Sequence, residues 1–328
     1  VAGDGEMVSW GSAEFVAAEE MRRNRGHWWD STGMKLAVTR VDVSNVTTWH
    51  ISAPNEPATI PKEIKYPAAG SPNADVQLHV IDTDDYSRTE VMWNRSTHPY
   101  LVDVSWEANQ PLTLVVQTRD QQSLQVLEAD EDTGRTEKAI EINDPYWVEI
   151  IPGTPQRWRD GWLTIQEHEQ NRSLLFNGRP LSPPDQWVRS VIAADETRIL
   201  YTASVDPTVV DLWSHNGEST KCLTNASGVT QVQSSSSVTV LEQSSIERPA
   251  EATVSKGQTV STVKDFSATP LVTPQVRFHL TGNLDAHSAV LFPTTATEEP
   301  LPIVLDPYGG PHAQRVMKSR NAFLASQW

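Results

Sequence analysis

Two adjacent glutamates near the start of the chain, Glu19 and Glu20, form the strongest candidate binding site in the sequence. Neighbouring side chains on a helix do not face the same way, so a converging pair is expected at a helix end or on a short turn. Two adjacent carboxylates repel each other, and a primary ammonium that donates to both relieves the repulsion. The residues alone favour a simpler alternative, in which Arg22 or Arg23 binds a solvated pair.

A second candidate is Tyr308, within the segment LPIVLDPYGGPH (301–312). The apolar run 301–306 predicts a strand buried on both faces of a parallel sheet. A glycine-rich loop and a helix over 315–328 are predicted to follow it. In α/β-hydrolases the loop after an early strand supplies an oxyanion-hole donor, and a tyrosine hydroxyl can fill that role. The alternative is a buried tyrosine that caps the loop.

The elements that must position these residues are mostly strands. Short apolar, β-branched runs broken by Gly, Asp, Asn or Pro extend from residue 28 to about 264. Trp106, Trp147 and Trp187 open successive groups about 40 residues apart, a period typical of four-stranded β-propeller blades. Four clear groups and a less regular fifth at 28–95 are too few to close a ring, so missing N-terminal blades are expected. A helix is predicted from Ala13 to about Asn24.

The predicted fold class is therefore all-β. We expect a β-propeller domain with an incomplete set of four-stranded blades over residues 1–275. The first strands and helix of an α/β-hydrolase domain are expected over 276–328.

Composition excludes several function classes. A formal net charge of −16 argues against a nucleic-acid partner. The single cysteine excludes a disulfide framework and a thiolate metal cluster. No apolar run approaches the roughly 20 residues of a membrane helix. No metal, phosphate-loop or nucleophile-elbow motif occurs, so no metal or cofactor is expected. The N-terminus has no signal-peptide pattern, which predicts a cytoplasmic location, although upstream residues are expected to be missing.

Two motifs, SAEFVAAEEMRRNRGHWWDSTG (12–33) and LPIVLDPYGGPHAQRV (301–316), resemble the dipeptidyl peptidase IV family of the prolyl oligopeptidase clan, in its bacterial form. The segment KYPAAGSPNADVQLHVID (65–82) is similar to the blade that follows the family's double-Glu helix. The resemblance implies an eight-bladed propeller stacked on an α/β-hydrolase domain. It also implies a serine peptidase that releases N-terminal dipeptides, usually with Pro or Ala second.

The resemblance assigns roles to three residues. Glu19 and Glu20 match the pair that binds the free N-terminal amine of a peptide, and Tyr308 matches the tyrosine that helps to hold the oxyanion. The family's catalytic Ser, Asp and His have no counterpart here and are expected downstream of Trp328, so the chain alone should be inactive. Peptides with a free N-terminus are the implied partners, and a homodimer is allowed for the full-length protein. The basic run RRNR (22–25) is a departure that could compete for the glutamates.

Two other functions stay open from the sequence. One is a non-catalytic β-propeller that serves as a protein-interaction module. The other is a propeller of the sugar-binding or lyase kind, which would need His and Arg residues converging on the central channel. The sequence shows no such cluster.

Overall fold

The computed structural model describes residues 4–168, 171–224, 227–235, 237–295, 299–310 and 313–328. Strands dominate the described residues, and the chain divides into two compact units, Val1–Ile150 and Ile151–Trp328. The described part of the chain contains no helix long and apolar enough to cross a bilayer.

Among its described residues, the first unit contains eleven strands and one short helix. In chain order these are β1 (Val8–Trp10), α1 (Phe15–Glu20), β2 (His27–Trp29), β3 (Lys35–Asp42), β4 (Thr48–Ile51), β5 (Lys62–Lys65), β6 (Asp75–Asp82), β7 (Arg88–Val91), β8 (Tyr100–Ser105), β9 (Leu112–Gln117), β10 (Ser123–Ala129) and β11 (Thr136–Asn143).

Strand β3 organises the first sheet. It pairs antiparallel with β6, which in turn pairs with β7, and it pairs on its other edge with both β1 and β2. Trp10 of β1 lies opposite Arg40, and His27 of β2 lies opposite Val38. The chain therefore leaves this edge after β1 and returns to it at β2.

Strands β8 to β11 form an antiparallel meander in the order β11-β10-β9-β8. All six residues of β9 are buried, which is the pattern of a strand covered on both faces. Buried residues of the first sheet, such as Leu78 and Val80, share one hydrophobic cluster with Leu101, Leu112 and Leu114 of this meander. Strands β4 and β5 form a separate, mostly exposed hairpin.

In the part of the second unit that the structure describes, there are fourteen strands and two short helical turns. In chain order these are β12 (Gln156–Trp158), β13 (Gly161–His168), β14 (Asn171–Phe176), β15 (Arg179–Pro180), β16 (Trp187–Ala194), β17 (Ile199–Ser204), β18 (Asp211–His215), β19 (Thr220–Cys222), β20 (Val229–Ser234), β21 (Val238–Ser244), β22 (Glu251–Lys256), β23 (Thr259–Thr262), β24 (Val276–Thr281), β25 (Ala286–Leu291), a 3-10 helix (Arg320–Ala322) and α2 (Leu324–Gln327).

Four-stranded antiparallel groups recur in the second unit as the sequence predicts. Strands β12 to β15 and β16 to β19 form two such groups, joined by one parallel pair between Arg172 and Trp187. Strands β20 to β23 form a third. Trp187 opens its group as predicted, but Trp106 follows β8 and Trp147 precedes β12. The spacing of the tryptophans thus gives the repeat length. Because the loops differ in length, the tryptophan does not occupy the same position relative to the first strand of each group.

Two predictions for the C-terminal residues are wrong. Residues 301–306 form no strand, and Ile303 and Leu305 are exposed over 84% and 82% of their surface. A strand buried on both faces needs parallel neighbours and covering layers, and the described part of the chain provides neither for this segment. The helix predicted over 315–328 is reduced to the 3-10 turn and α2. The predicted domain boundary between residues 275 and 276 stays a prediction.

Candidate functional site

The candidate site lies on a segment that interrupts one sheet edge. Residues 12–25, here called the insert, leave β1 and return at β2, and a β-bridge between Ser12 and Arg25 closes its base. The amide of Gly11 donates to the carbonyl of Thr39 (2.9 Å), and the amide of Gly26 donates to the carbonyl of Gly11 (3.1 Å). The insert therefore starts and ends at a fixed position on β3.

The insert closes tightly around Thr39, which is fully buried. Its amide donates to the carbonyl of Gly26 (2.8 Å), and its hydroxyl donates to the carbonyl of Ser12 (2.9 Å). A Cβ atom at position 26 would lie 2.1 Å from the Thr39 hydroxyl and 2.6 Å from the Ser12 carbonyl oxygen. Because these distances are too short for real contacts, only glycine fits at position 26 without displacement of its neighbours.

Helix α1 presents both glutamates to solvent. Glu19 and Glu20 are its last two residues and both are exposed, whereas Ala17 is fully buried and Met21 is 6% exposed. The pair therefore lies at a helix end, as the residue types predict. Arg22 follows in the left-handed region at φ 57°, and this turn ends the helix well before the predicted end near Asn24.

The position of Glu19 and Glu20 is electrostatically unfavourable for a helix. The last turn exposes backbone carbonyls, which favour cations, and α1 has no basic residue there. Both glutamates thus lie at the negative end of the helix. A bound ammonium would relieve that repulsion, which is the chemistry expected of an amine-binding site.

Two of the three arginines after the glutamates, Arg23 and Arg25, have other contacts. Arg23 binds Glu14 through Nη2 and Oε2 at 3.0 Å, and the two side chains are only 4% and 5% exposed. The Arg25 guanidinium lies 5.6 Å from the centre of the Trp28 ring, an interaction of the cation–π type. Arg23, expected from the sequence to compete for the Glu pair, is therefore engaged by Glu14.

Arg23 also joins the insert to a second sheet. Its Nε and Nη2 both donate to the carbonyl of Leu101 on β8, at 3.2 and 3.0 Å, and Nη1 donates to the carbonyl of Arg25 at 3.0 Å. Sequence reasoning missed both Glu14 and Arg23 as parts of the site. The only available signal was a charged residue of each sign near the two ends of the predicted helix.

Tyr308 belongs to the second unit. Its side chain is 49% exposed, so the alternative of a buried tyrosine capping the loop is wrong. Asp306 and Arg315 form an ion pair across the loop that carries it. A Cβ atom at Gly310 would lie 2.4 Å from the Tyr308 hydroxyl, so the ring occupies space that any side chain at 310 would need. Pro311 and His312, the end of the motif, lie outside the described residues.

Metal-ligand groups are absent from the described ranges. In those residues, no cluster of three or more His, Cys, Asp or Glu side chains has an arrangement that could hold a metal ion.

Comparisons with known proteins identify the family and the fold of the chain. Residues 1–249 match the family described as the dipeptidyl peptidase IV (DPP IV) N-terminal region. An Emericella nidulans protein named "Probable dipeptidyl-aminopeptidase B" is 26% identical over 245 residues, which covers 63% of this chain and 25% of that protein.

Solved structures of this fold cover nearly the whole chain. A Bacteroides ovatus structure superposes with a TM-score of 0.79 at 17% identity, over 99% of this chain and 53% of that one. Porphyromonas gingivalis dipeptidyl peptidase 4 superposes with a TM-score of 0.78 at 15% identity, over 100% of this chain and 51% of that one. At these identities the likeness concerns the fold, and it confirms the predicted β-propeller. The chain belongs to the dipeptidyl peptidase IV N-terminal region family.

Proposed function

We propose that this chain is the substrate-recognition part of a serine exopeptidase that releases N-terminal dipeptides with Pro or Ala second. The observation that carries the proposal is the exposed pair Glu19 and Glu20, at the end of a short helix whose insert is fixed to β3 at both ends. Membership of a family of dipeptidyl peptidases supports it. The chain spans a quarter of its curated relative's length, so the activity is proposed for the whole protein.

The proposed recognition step is electrostatic. The peptide's terminal ammonium lies between the two glutamates and donates to both, and each charged hydrogen bond contributes about 1.5–3 kcal/mol. Because the ammonium is fixed, the number of residues between it and the scissile carbonyl is fixed too. A site that captures the amine in this way accepts chain ends and rejects internal peptide bonds.

The proposed chemistry is acyl transfer to a serine that has no counterpart in this chain. The serine oxygen attacks the carbonyl carbon of the second residue, negative charge develops on the carbonyl oxygen, and the bond to the nitrogen of the third residue then breaks. The Tyr308 hydroxyl would donate a hydrogen bond to that oxygen, as one member of an oxyanion hole. Release of the amine product and hydrolysis of the acyl-enzyme complete the cycle, so the chain alone is expected to be inactive.

The test is hydrolysis of Gly-Pro-p-nitroanilide by the full-length protein. Glu20→Gln keeps the shape of the side chain but removes its charge, and we expect kcat/KM to fall at least tenfold. Glu63→Gln is the matched control, because Glu63 is an exposed glutamate on β5 outside the insert. A loss below twofold in Glu20→Gln would remove amine capture from the account. Complete absence of amidase activity in the wild type would favour the alternative, a non-catalytic interaction module.

A further inference from the structure

We infer that the buried Glu14–Arg23 pair positions Glu19 and Glu20, by clamping α1 across its two ends and tying the insert to β8. The inference rests on the proposed function, since it concerns the same amine site. Arg23 does not reach a substrate itself, because its side chain is only 4% exposed. It is therefore a positioning residue.

Glu14 and Arg23 lie beyond opposite ends of α1 along the chain. Glu14 is the N-cap residue of α1, and Arg23 comes three residues after Glu20. An N-cap side chain ordinarily binds the free amides of the first helical turn, but Glu14 makes no such cap bond. Its carboxylate is turned to Arg23 instead, at 3.0 Å. The helix gives up a local interaction, and the pair spans its start and its end.

The backbone of β8 is irregular where Arg23 binds it. The pairing of β8 with β9 shifts between Leu101 and Asp103, which marks a β-bulge. Bulges redirect backbone groups, and here the Leu101 carbonyl accepts two hydrogen bonds from the Arg23 guanidinium. A planar guanidinium donates to Glu14 and Leu101 at once, which a lysine ammonium cannot reproduce with the same geometry.

A backbone hydrogen bond connects Arg23 with the turn that carries the glutamates. The Arg23 amide donates to the carbonyl of Ala17 at 3.0 Å, across the last turn that carries Glu19 and Glu20. Arg22, which lies between Glu20 and Arg23 in the chain, adopts a left-handed conformation that a non-glycine residue holds only at an energetic cost. Displacement of Arg23 would release this turn, so the separation and direction of the glutamates depend on the clamp.

The decisive experiment is a double-mutant cycle in the full-length protein with Gly-Pro-p-nitroanilide. Arg23→Lys keeps a positive charge beside Glu14 but loses the paired hydrogen bonds from Nε and Nη2 to the Leu101 carbonyl. We expect KM to rise about tenfold with kcat changed less than twofold. In the Glu20→Gln background, we expect Arg23→Lys to add less than a further twofold, because a residue that acts through Glu20 has little left to affect.

Three comparisons make the result decisive. Arg40→Lys is the control, since Arg40 also pairs with a carboxylate, that of Asp4 at 2.9 Å, but lies on β3 outside the insert. If the Arg23 and Glu20 losses multiply, or if kcat falls with KM unchanged, the positioning role is overturned. If Glu20→Gln alone has no effect, the proposed amine site fails first, which is a separate outcome. Should Arg23→Lys not fold, Glu14→Gln replaces it in the same cycle with the same two outcomes.

Discussion

Thr39 binds Gly26 so closely that the residue at position 26 can have no side chain. The amide of Thr39 donates to the Gly26 carbonyl at 2.8 Å, and its hydroxyl oxygen is 2.1 Å from where a Cβ atom would stand. This contact closes the base of the insert, so it connects the middle of a buried strand with the helix that carries the glutamates.

Gly26→Ala is expected to destabilise the protein by about 1–3 kcal/mol, the usual cost of an overpacked site. Thr39→Val removes the hydroxyl and its hydrogen bond without adding volume, so it should cost about 1 kcal/mol. Urea denaturation measures both. A Gly26→Ala variant within 0.5 kcal/mol of the wild type would show that the base of the insert is not tightly closed.

Two glycines of the first unit allow the energetic cost of backbone strain to be measured apart from that of steric contact. Gly134 and Gly33 have similar positive φ values, 70° and 74°. A Cβ atom at Gly134 would lie 1.9 Å from the carbonyl oxygen of Glu90, whereas nothing lies within 4 Å of one at Gly33. Both alanine variants should lose about 1–2 kcal/mol from the left-handed backbone, and Gly134→Ala should lose more. Equal losses in denaturation would mean that the Gly134 hairpin does not pack against β7.

The ion pair between Asp206 and Lys318 predicts a pH dependence of stability. Partial burial raises the pKa of Asp206, but hydrogen bonds from Lys318 and Thr208 outweigh this and hold the pKa at about 2. Because the folded-state pKa lies below the ordinary value of 3.8, the contribution is complete above about pH 4 and is lost as the pH falls towards 2. Both side chains are about a third or more exposed, so solvent screening limits the effect to about 1 kcal/mol.

Asp206→Asn tests this dependence, because asparagine keeps an acceptor for Thr208 but cannot ionise. The melting temperature of the variant should lie below that of the wild type at pH 6, and the gap should narrow as the pH approaches 2. A gap that stays constant between pH 6 and pH 2 would exclude ionisation of Asp206 as its cause.

Adjacent glycines beside Tyr308 give a matched pair. A Cβ atom at Gly310 would meet the Tyr308 hydroxyl at 2.4 Å, but one at Gly309 would meet nothing within 4 Å. We expect Gly310→Ala to displace the hydroxyl and to lower kcat of the full-length protein about tenfold, while Gly309→Ala changes it less than twofold. In the Tyr308→Phe background the Gly310→Ala loss should shrink. A loss of the same size there would mean that Gly310 acts independently of Tyr308.

The sequence predicted those features that depend on local patterns. Alternating strands at a period of about 40 residues indicated four-stranded groups, because blades repeat at that length. The placement of Glu19 and Glu20 at a helix end followed from the fact that neighbouring helical side chains diverge.

Other features depend on contacts between distant residues. Glu14 precedes α1 and Arg23 follows it, yet their side chains are in contact. Arg23 also binds Leu101, which is 78 positions away in the chain. No periodic pattern reports such a contact. The apolar run at 301–306 predicts a strand from composition alone, but a strand also needs neighbours to pair with, and sequence reasoning placed it in a sheet that the described residues do not form.

The central claim is that Glu19 and Glu20 select peptides by their terminal ammonium. Its most direct test is the ratio of kcat/KM for Gly-Pro-p-nitroanilide to that for its N-acetyl analogue, in the wild-type full-length protein and in a Glu19→Gln, Glu20→Gln double variant. The account predicts a wild-type ratio of at least about a hundred that falls close to one in the double variant. A double variant that keeps the wild-type ratio would contradict it.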